Sequence, residues 1–168
     1  MIWKKDSCAF PESERYYQVF EYMFIFSKGK PKTFNPLEDR KNKFSGCKIH
    51  GTFRDKSGDT IARSTTWKNS ICKDYGIRFN VWDIPSCKNN KSGHPAVFPG
   101  SLAKDHILSW SNKGDVILDP FLGSGTTAIA AYKLNRHYIG FEISKEYFNT
   151  AGERISLEQK QIRIDDII

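Results

Sequence analysis

Residues 115–144, DVILDPFLGSGTTAIAAYKLNRHYIGFEIS, restrict the fold more than any other part of the chain. Val116, Ile117 and Leu118 form a continuous apolar run, which predicts a short buried strand. The glycines that follow open an Ala-rich helix, HYIGFEIS predicts a second strand, and KEYFNTAGERISLEQKQ a further helix. Strand, helix and strand at this spacing make a right-handed βαβ unit with parallel strands, so the fold class is α/β. Upstream, FPGSLAKDHILSWSN has apolar residues at 102, 103, 107, 108 and 110 and reads as a helix, with Ser101 as its N-cap and Asn112 and Gly114 at its end.

The glycines have a chemical reason. Gly123 and Gly125 let the strand turn sharply into the helix and bring backbone N–H groups close to a ligand, with no Cβ in the way. Thr126 and Thr127 then fall in the first turn, where free N–H groups and the helix dipole favour a carboxylate or phosphate. Glu142, at the end of the next strand and 17 residues after Gly125, can accept hydrogen bonds from two ribose hydroxyls. The run from Gly123 to Ala128 also satisfies the relaxed dinucleotide pattern G-x-G-x-x-A, which leaves a nicotinamide-dependent oxidoreductase open. A Walker-type phosphate loop is disfavoured, because no Lys follows the second glycine. Taken one at a time, the loop could be a plain strand-to-helix turn and Glu142 a solvated strand end.

The flanks divide the chain into zones 1–27, 28–93 and 94–168. The first holds two aromatic-rich apolar runs, MIW and YYQVFEYMFIFS, which predict two strands, the second long and buried. Residues 28–93 are rich in turn signals (KGKPKT, NPLEDRKNK, SGCK, DKSGD, SCKNNKSG) and suggest an inserted, loop-rich recognition module. The net charge of +7 is concentrated there: residues 27–93 carry 15 Lys or Arg against 6 Asp or Glu, and the remainder of the chain stands at −2. Such a block is either a solvated face or, interleaved with Phe34, Phe44, Phe53, Trp67, Tyr75, Phe79 and Trp82, a surface for a phosphate backbone.

Other classes recede. Apolar content of 39% with 12 Phe, 7 Tyr and 4 Trp argues against disorder. No apolar run approaches the ~20 residues that cross a bilayer, so no membrane role is expected and the chain reads as soluble and cytoplasmic. Cys8, Cys47, Cys72 and Cys87 contain no C-x-x-C pair; with His50 they fit no standard zinc spacing, and they read as reduced, packed thiols with no metal. His94 and His106 are better explained by packing than by catalysis.

At this point the residues resemble a known family. VILDPFLGSGTTAIAAYKLNRHYIGFEISKEYFNTAGERI is similar to motifs I and II of the S-adenosylmethionine-dependent DNA amino-methyltransferases, which modify adenine N6 or cytosine N4. HPAVFPGSLAKDHILSWS resembles their motif X, VWDIP the segment leading into it, and the first 37 residues the strand pair near the end of their catalytic region. The order, with catalytic region first, then recognition, then motifs X, I and II, is that of the beta arrangement. The resemblance implies a partial Rossmann-like methyltransferase fold with an inserted loop-rich recognition region. It implies that Asp119, Phe121, Gly123, Ser124, Gly125, Thr126 and Thr127 line the methionine end of S-adenosyl-L-methionine. Glu142 would hold the ribose, Ile143 would lie against the adenine, and Phe98, Pro99 and Leu102 would close the methionine side.

The family's catalytic motif, an Asp, Asn or Ser followed by Pro-Pro and an aromatic residue, is absent. No Pro-Pro occurs, Asp119-Pro120-Phe121 belongs to the cofactor loop, and Asn35-Pro36 reads as an ordinary turn. The expectation is therefore the C-terminal part of a DNA methyltransferase acting on double-stranded DNA, adenine N6 favoured over cytosine N4. It would be little active alone, and would pair with a second chain carrying the catalytic motif or self-associate across an uncovered sheet edge. The alternatives are a non-catalytic cofactor- or DNA-binding subunit of a split enzyme and, remotely, the oxidoreductase; RNA as substrate also stays open, since charge alone does not distinguish it.

Overall fold

The computed structural model describes residues 1–8, 13–63, 70–87 and 97–165. Trp67, His94 and the His-Pro-Ala opening of the motif X-like stretch lie outside them. The elements in chain order are β1 (Ile2–Lys4), β2 (Phe20–Tyr22), β3 (Arg40–Lys41), β4 (Thr52–Arg54), β5 (Thr60–Ala62), β6 (Tyr75–Gly76) and β7 (Val81–Asp83). Then come α1 (Gly100–Trp110), β8 (Val116–Asp119), α2 (Thr126–Lys133), β9 (His137–Gly140) and α3 (Lys145–Asp165). The chain separates into two compact units, Pro36–Phe79 and the remainder.

In the larger unit, β8 and β9 pair in parallel from Val116↔His137 to Asp119↔Gly140, with α2 as the crossover. Ala103 and Ile107 of α1 pack against Ala130 and Ala131 of α2, and Ile117, Leu134 and Tyr138 close onto this core. Small side chains at Ala130 and Ala131 let the two helices approach closely. The apolar run of β8 is not buried on both sides, as its sequence suggests. Ile117 faces the helices, whereas Val116 (58%), Leu118 (61%) and, on β9, Ile139 (51%) are exposed. A strand presents alternate residues to opposite faces, and among the described residues only one face carries helices.

α1 also begins differently from expectation. Pro99, extended at φ −61° and ψ 137°, is the N-cap, and Ser101 lies inside the first turn, so no side chain caps this end. The proline's fixed φ suits it to the helix entrance, and it has no N–H to leave unsatisfied. The far end is held by Arg136, 8% exposed, whose Nε donates to Ser111 Oγ (3.1 Å) and Nη2 to the Ser111 carbonyl (2.8 Å). Its Nη1 donates to the Leu134 carbonyl (2.6 Å). Ser111 and Leu134 are the C-caps of α1 and α2, so one buried cation sits at two negative helix ends.

A second sheet has the order β2–β1–β7, with β1 antiparallel to β2 and parallel to β7. It is anchored by Trp3 and Trp82, both buried, and by a hydrogen bond from Trp3 Nε1 to the Ile84 carbonyl (2.8 Å). The run YYQVFEYMFIFS was expected to be a long buried strand; only Phe20–Tyr22 of it is a strand, at the sheet edge, and most of its side chains stand outward. Tyr22, Phe24 and Phe26 are 63%, 73% and 88% exposed, and Phe20, Tyr22, Phe24 and Phe26 contact one another in series at centroid distances of 5.4, 5.9 and 6.2 Å. Alternation puts these rings on one face, and no described element covers it.

The unit Pro36–Phe79 holds two antiparallel ladders, β3 with β6 and β4 with β5. The β4–β5 turn is set by Asp55, whose Oδ1 accepts the N–H groups of Ser57 and Asp59 (2.9 Å each), with Gly58 at φ 90°. The cysteines are less packed than expected: Cys47 and Cys87 are exposed and Cys8 and Cys72 only partly covered, since these segments are short ladders and loops without a core beneath them. Among the described residues no three His, Cys, Asp or Glu side chains are placed to share a metal ion, and no helix is long and apolar enough to cross a membrane.

Candidate functional site

The glycine loop is built onto the ends of β8 and β9. Asp119 Oδ1 accepts the Phe121 N–H (3.0 Å) and starts the turn; Leu122 N–H then returns to the Phe141 carbonyl (2.8 Å). Gly123 and Gly125 take φ of 53° and 83°, in the left-handed region where a side chain is strained. Gly125 is also the N-cap of α2, and a Cβ there would stand 3.1 Å from Ala151 Cβ on α3. The loop therefore turns sharply and lies against α3 at once.

Glu142 fastens the loop. Its Oε2 accepts the Gly123 N–H and its Oε1 the Ser144 N–H, both at 2.8 Å, so the carboxylate bridges the loop and the end of the second strand. Among the described residues no side chain caps the start of α2, and no acidic residue lies in its first turn. Backbone N–H groups at an uncapped helix start of this kind favour an anion.

Phe98 and Leu102, from before and within α1, share with Thr127 the wall of a cavity of about 390 Å³, completed by His106, Ile107, Trp110 and Ile117. Pro99 is buried behind them, and Ser124 and Thr126 are buried within the loop. The structure thus brings together Phe98, Leu102 and Thr127 at one cavity, and Gly123 with Glu142 at one hydrogen bond. It leaves Phe121 (87% exposed) and Ile143 (fully exposed) outside that cavity. The lining is almost wholly apolar, which suits an aliphatic chain beside the polar loop and not a second charged group.

His106 is a packed side chain, as its sequence context suggested. Its ring lies 4.7 Å from that of Trp82, and Nε2 is 3.0 Å from Met23 Sδ. Burial pushes its pKa below the ordinary 6.5; Asp105 opposes the shift and the chain's amino group adds to it. One residue of the site had escaped the sequence argument. Arg154 of α3 donates from Nη1 to the Ser124 carbonyl and gives the loop a second tie besides Glu142. The trace of it in the sequence is Ala151-Gly152, a small pair one helical turn before the arginine, where α3 must come close to the loop.

The fold and this loop define an α/β chain with a glycine-rich turn at the carboxyl ends of parallel strands, where such sheets place their ligand sites. A family model described as DNA methylase, of the N6/N4 type, matches residues 1–153. The chain is 53% identical over 163 residues to the orphan methyltransferase M.BamHII of Bacillus amyloliquefaciens, covering 92% of this chain and 60% of that protein. It is 36% identical to the type II methyltransferase M.SmaI of Serratia marcescens, over 92% of this chain and 44% of that protein. Among solved structures, M1.HpyAVI in complex with SAM superposes with a TM-score of 0.60 at 27% identity, over 92% of this chain and 60% of the other. The chain belongs to the N6/N4 DNA methylase family and has a partial Rossmann-like methyltransferase fold. It spans 60% and 44% of the length of these two curated relatives.

Proposed function

We propose that the chain supplies the cofactor-binding and target-recognition parts of an S-adenosyl-L-methionine-dependent DNA methyltransferase that methylates an exocyclic amino group. The observation that carries this reading is the glycine loop tied by Glu142 at one end, uncapped at the start of α2, and continuous with the cavity shared by Phe98, Leu102 and Thr127. A methionine carboxylate matches the backbone N–H groups at the start of α2, its aliphatic part the cavity, and the ribose hydroxyls the carboxylate of Glu142 at the end of the second strand. Asp119 Oδ2 is left for an ammonium group. Bound there, the cofactor would supply the methyl group; the chain's residues hold and orient it and keep water from its aliphatic segment. Pro36–Phe79, with the basic residues around it, is the region for double-stranded DNA.

Adenine N6 is the favoured target, a reading supported by 31% identity to the DNA adenine methyltransferase YhdJ of Escherichia coli over 94% of this chain and 51% of that protein. The Pro-Pro-aromatic segment, absent from this sequence, would be supplied by polypeptide outside these residues, a companion chain among the candidates, and the assembly would work in the cytoplasm. Three features support a companion. Among the described residues the outer edge of β8 is unpaired, one face of β8 and β9 is apolar and open, and the buried Trp110 Nε1 meets no acceptor.

Calorimetric titration tests the cofactor: S-adenosylmethionine should bind and NAD should not, and the reverse order would replace this reading by the oxidoreductase. Radiolabelled methyl transfer to duplex DNA by the purified chain alone should be weak or nil. Robust transfer would refute the companion.

A further inference from the structure

Within Pro36–Phe79, one arginine is held differently from the other cations. Arg40 on β3 lies opposite Gly76 on β6. Its Nε donates to the Ile77 carbonyl (3.0 Å), and its guanidinium lies 4.5 Å from the ring centroid of Phe79, itself 64% exposed. The guanidinium occupies the space that the glycine leaves: a Cβ at Gly76 would fall 2.4 Å from Nη2 and 3.3 Å from Cζ. Among the described residues neither terminal nitrogen meets an acceptor. By contrast, the neighbouring Arg78 is neutralised by both oxygens of Asp39, whose pKa the bonded guanidinium holds below its ordinary value.

A carbonyl, an aromatic ring and a glycine-shaped gap thus fix the plane of one unpaired fork. Attraction to phosphate needs charge, not a fixed plane, and Lys41, Lys43, Lys48, Lys56 and Lys73 supply charge in this unit. A fixed plane with two parallel N–H donors is what the O6 and N7 acceptors of guanine in the major groove require. We propose that Arg40, backed by Phe79 and seated over Gly76, is a base-reading residue that forks onto a guanine in the target. This rests on the reading of the chain as DNA-binding.

The test is selection of duplexes with a randomised core by the full chain, followed by sequencing of the bound fraction. Two variants are compared with wild type. Arg40→Lys keeps the charge and loses the fork; Gly76→Ala keeps Arg40, fits the backbone at that position, and displaces the fork by its Cβ. Wild type should enrich a site with an invariant guanine. Both variants should relax that one position by roughly ten- to a hundredfold, leaving the other positions and the salt dependence of binding nearly unchanged. A site retained by both variants, with affinity lowered evenly over all sequences, would make Arg40 a phosphate contact and overturn the proposal. So would duplex binding by wild type without sequence preference, which leaves the DNA reading standing. Failure of wild type to bind any duplex would take down both.

Discussion

Replacing Gly125 with Ala puts a number on the packing that holds the cofactor loop. At φ 83° an alanine pays for a left-handed conformation, about 1–2 kcal/mol. Its Cβ would also stand 3.1 Å from Ala151 Cβ and 3.3 Å from Ala151 Cα, and the backbone contact cannot rotate away, which adds about 1–3 kcal/mol. The sum, about 2–5 kcal/mol, is a large share of the 5–15 kcal/mol typical of a domain. Gly152 provides the control one residue past that contact. It is an exposed interior position of α3 with a helical φ, and nothing lies within 4 Å of an added Cβ. The same substitution there should stabilise by about 0.5–1 kcal/mol. Urea denaturation read by the linear relation gives both values, with the slope m unchanged. Ala151→Gly combined with Gly125→Ala should recover part of the loss in a double-mutant cycle. Equal effects at the two glycines, or no coupling to Ala151, would refute the argument that loop and α3 are in contact through Gly125.

Other outcomes follow from the same geometry. Arg136→Ala, leaving the carbonyls of Ser111 and Leu134 without their buried cation, should cost about 2–4 kcal/mol in the same denaturation assay. Burial lowers the pKa of His106, so the fold disfavours its charged form and the unfolded chain takes up the proton first as pH falls. Stability is full above the ordinary 6.5 and declines through the window below it, and His106→Gln should flatten that part of the pH profile of the melting temperature. Glu142→Ala should weaken S-adenosylmethionine binding in calorimetry and also speed hydrogen exchange at Gly123, because the same carboxylate holds that N–H. A loss of affinity with unchanged exchange would confine Glu142 to the ligand.

The sequence made the parallel strand pair, its crossover helix and the glycine loop legible, because each has a local cause. Turn geometry demanded glycine at 123 and 125, and the apolar spacing of α2 and β9 matches their observed faces. The cover of the sheet was not legible. Val116, Leu118 and the rings of Phe24 and Phe26 say that their faces avoid water, but an apolar run does not say which polypeptide covers them. Arg154 was hidden for a related reason: helical spacing gives the face of a side chain, not the loop that the face meets. The seat of Arg40 depends on a cross-strand register between positions 40 and 76 that no local pattern fixes.

The open face of β8 and β9 also constrains how this chain can be altered. Polar replacements at Val116, Leu118 or Ile139 would ease handling in concentrated solution, since exposed apolar area drives non-specific association. If a companion seats there, the same replacements would erase the surface that recognises it. Solubility and assembly are then written in the same few side chains, and neither can be tuned without moving the other.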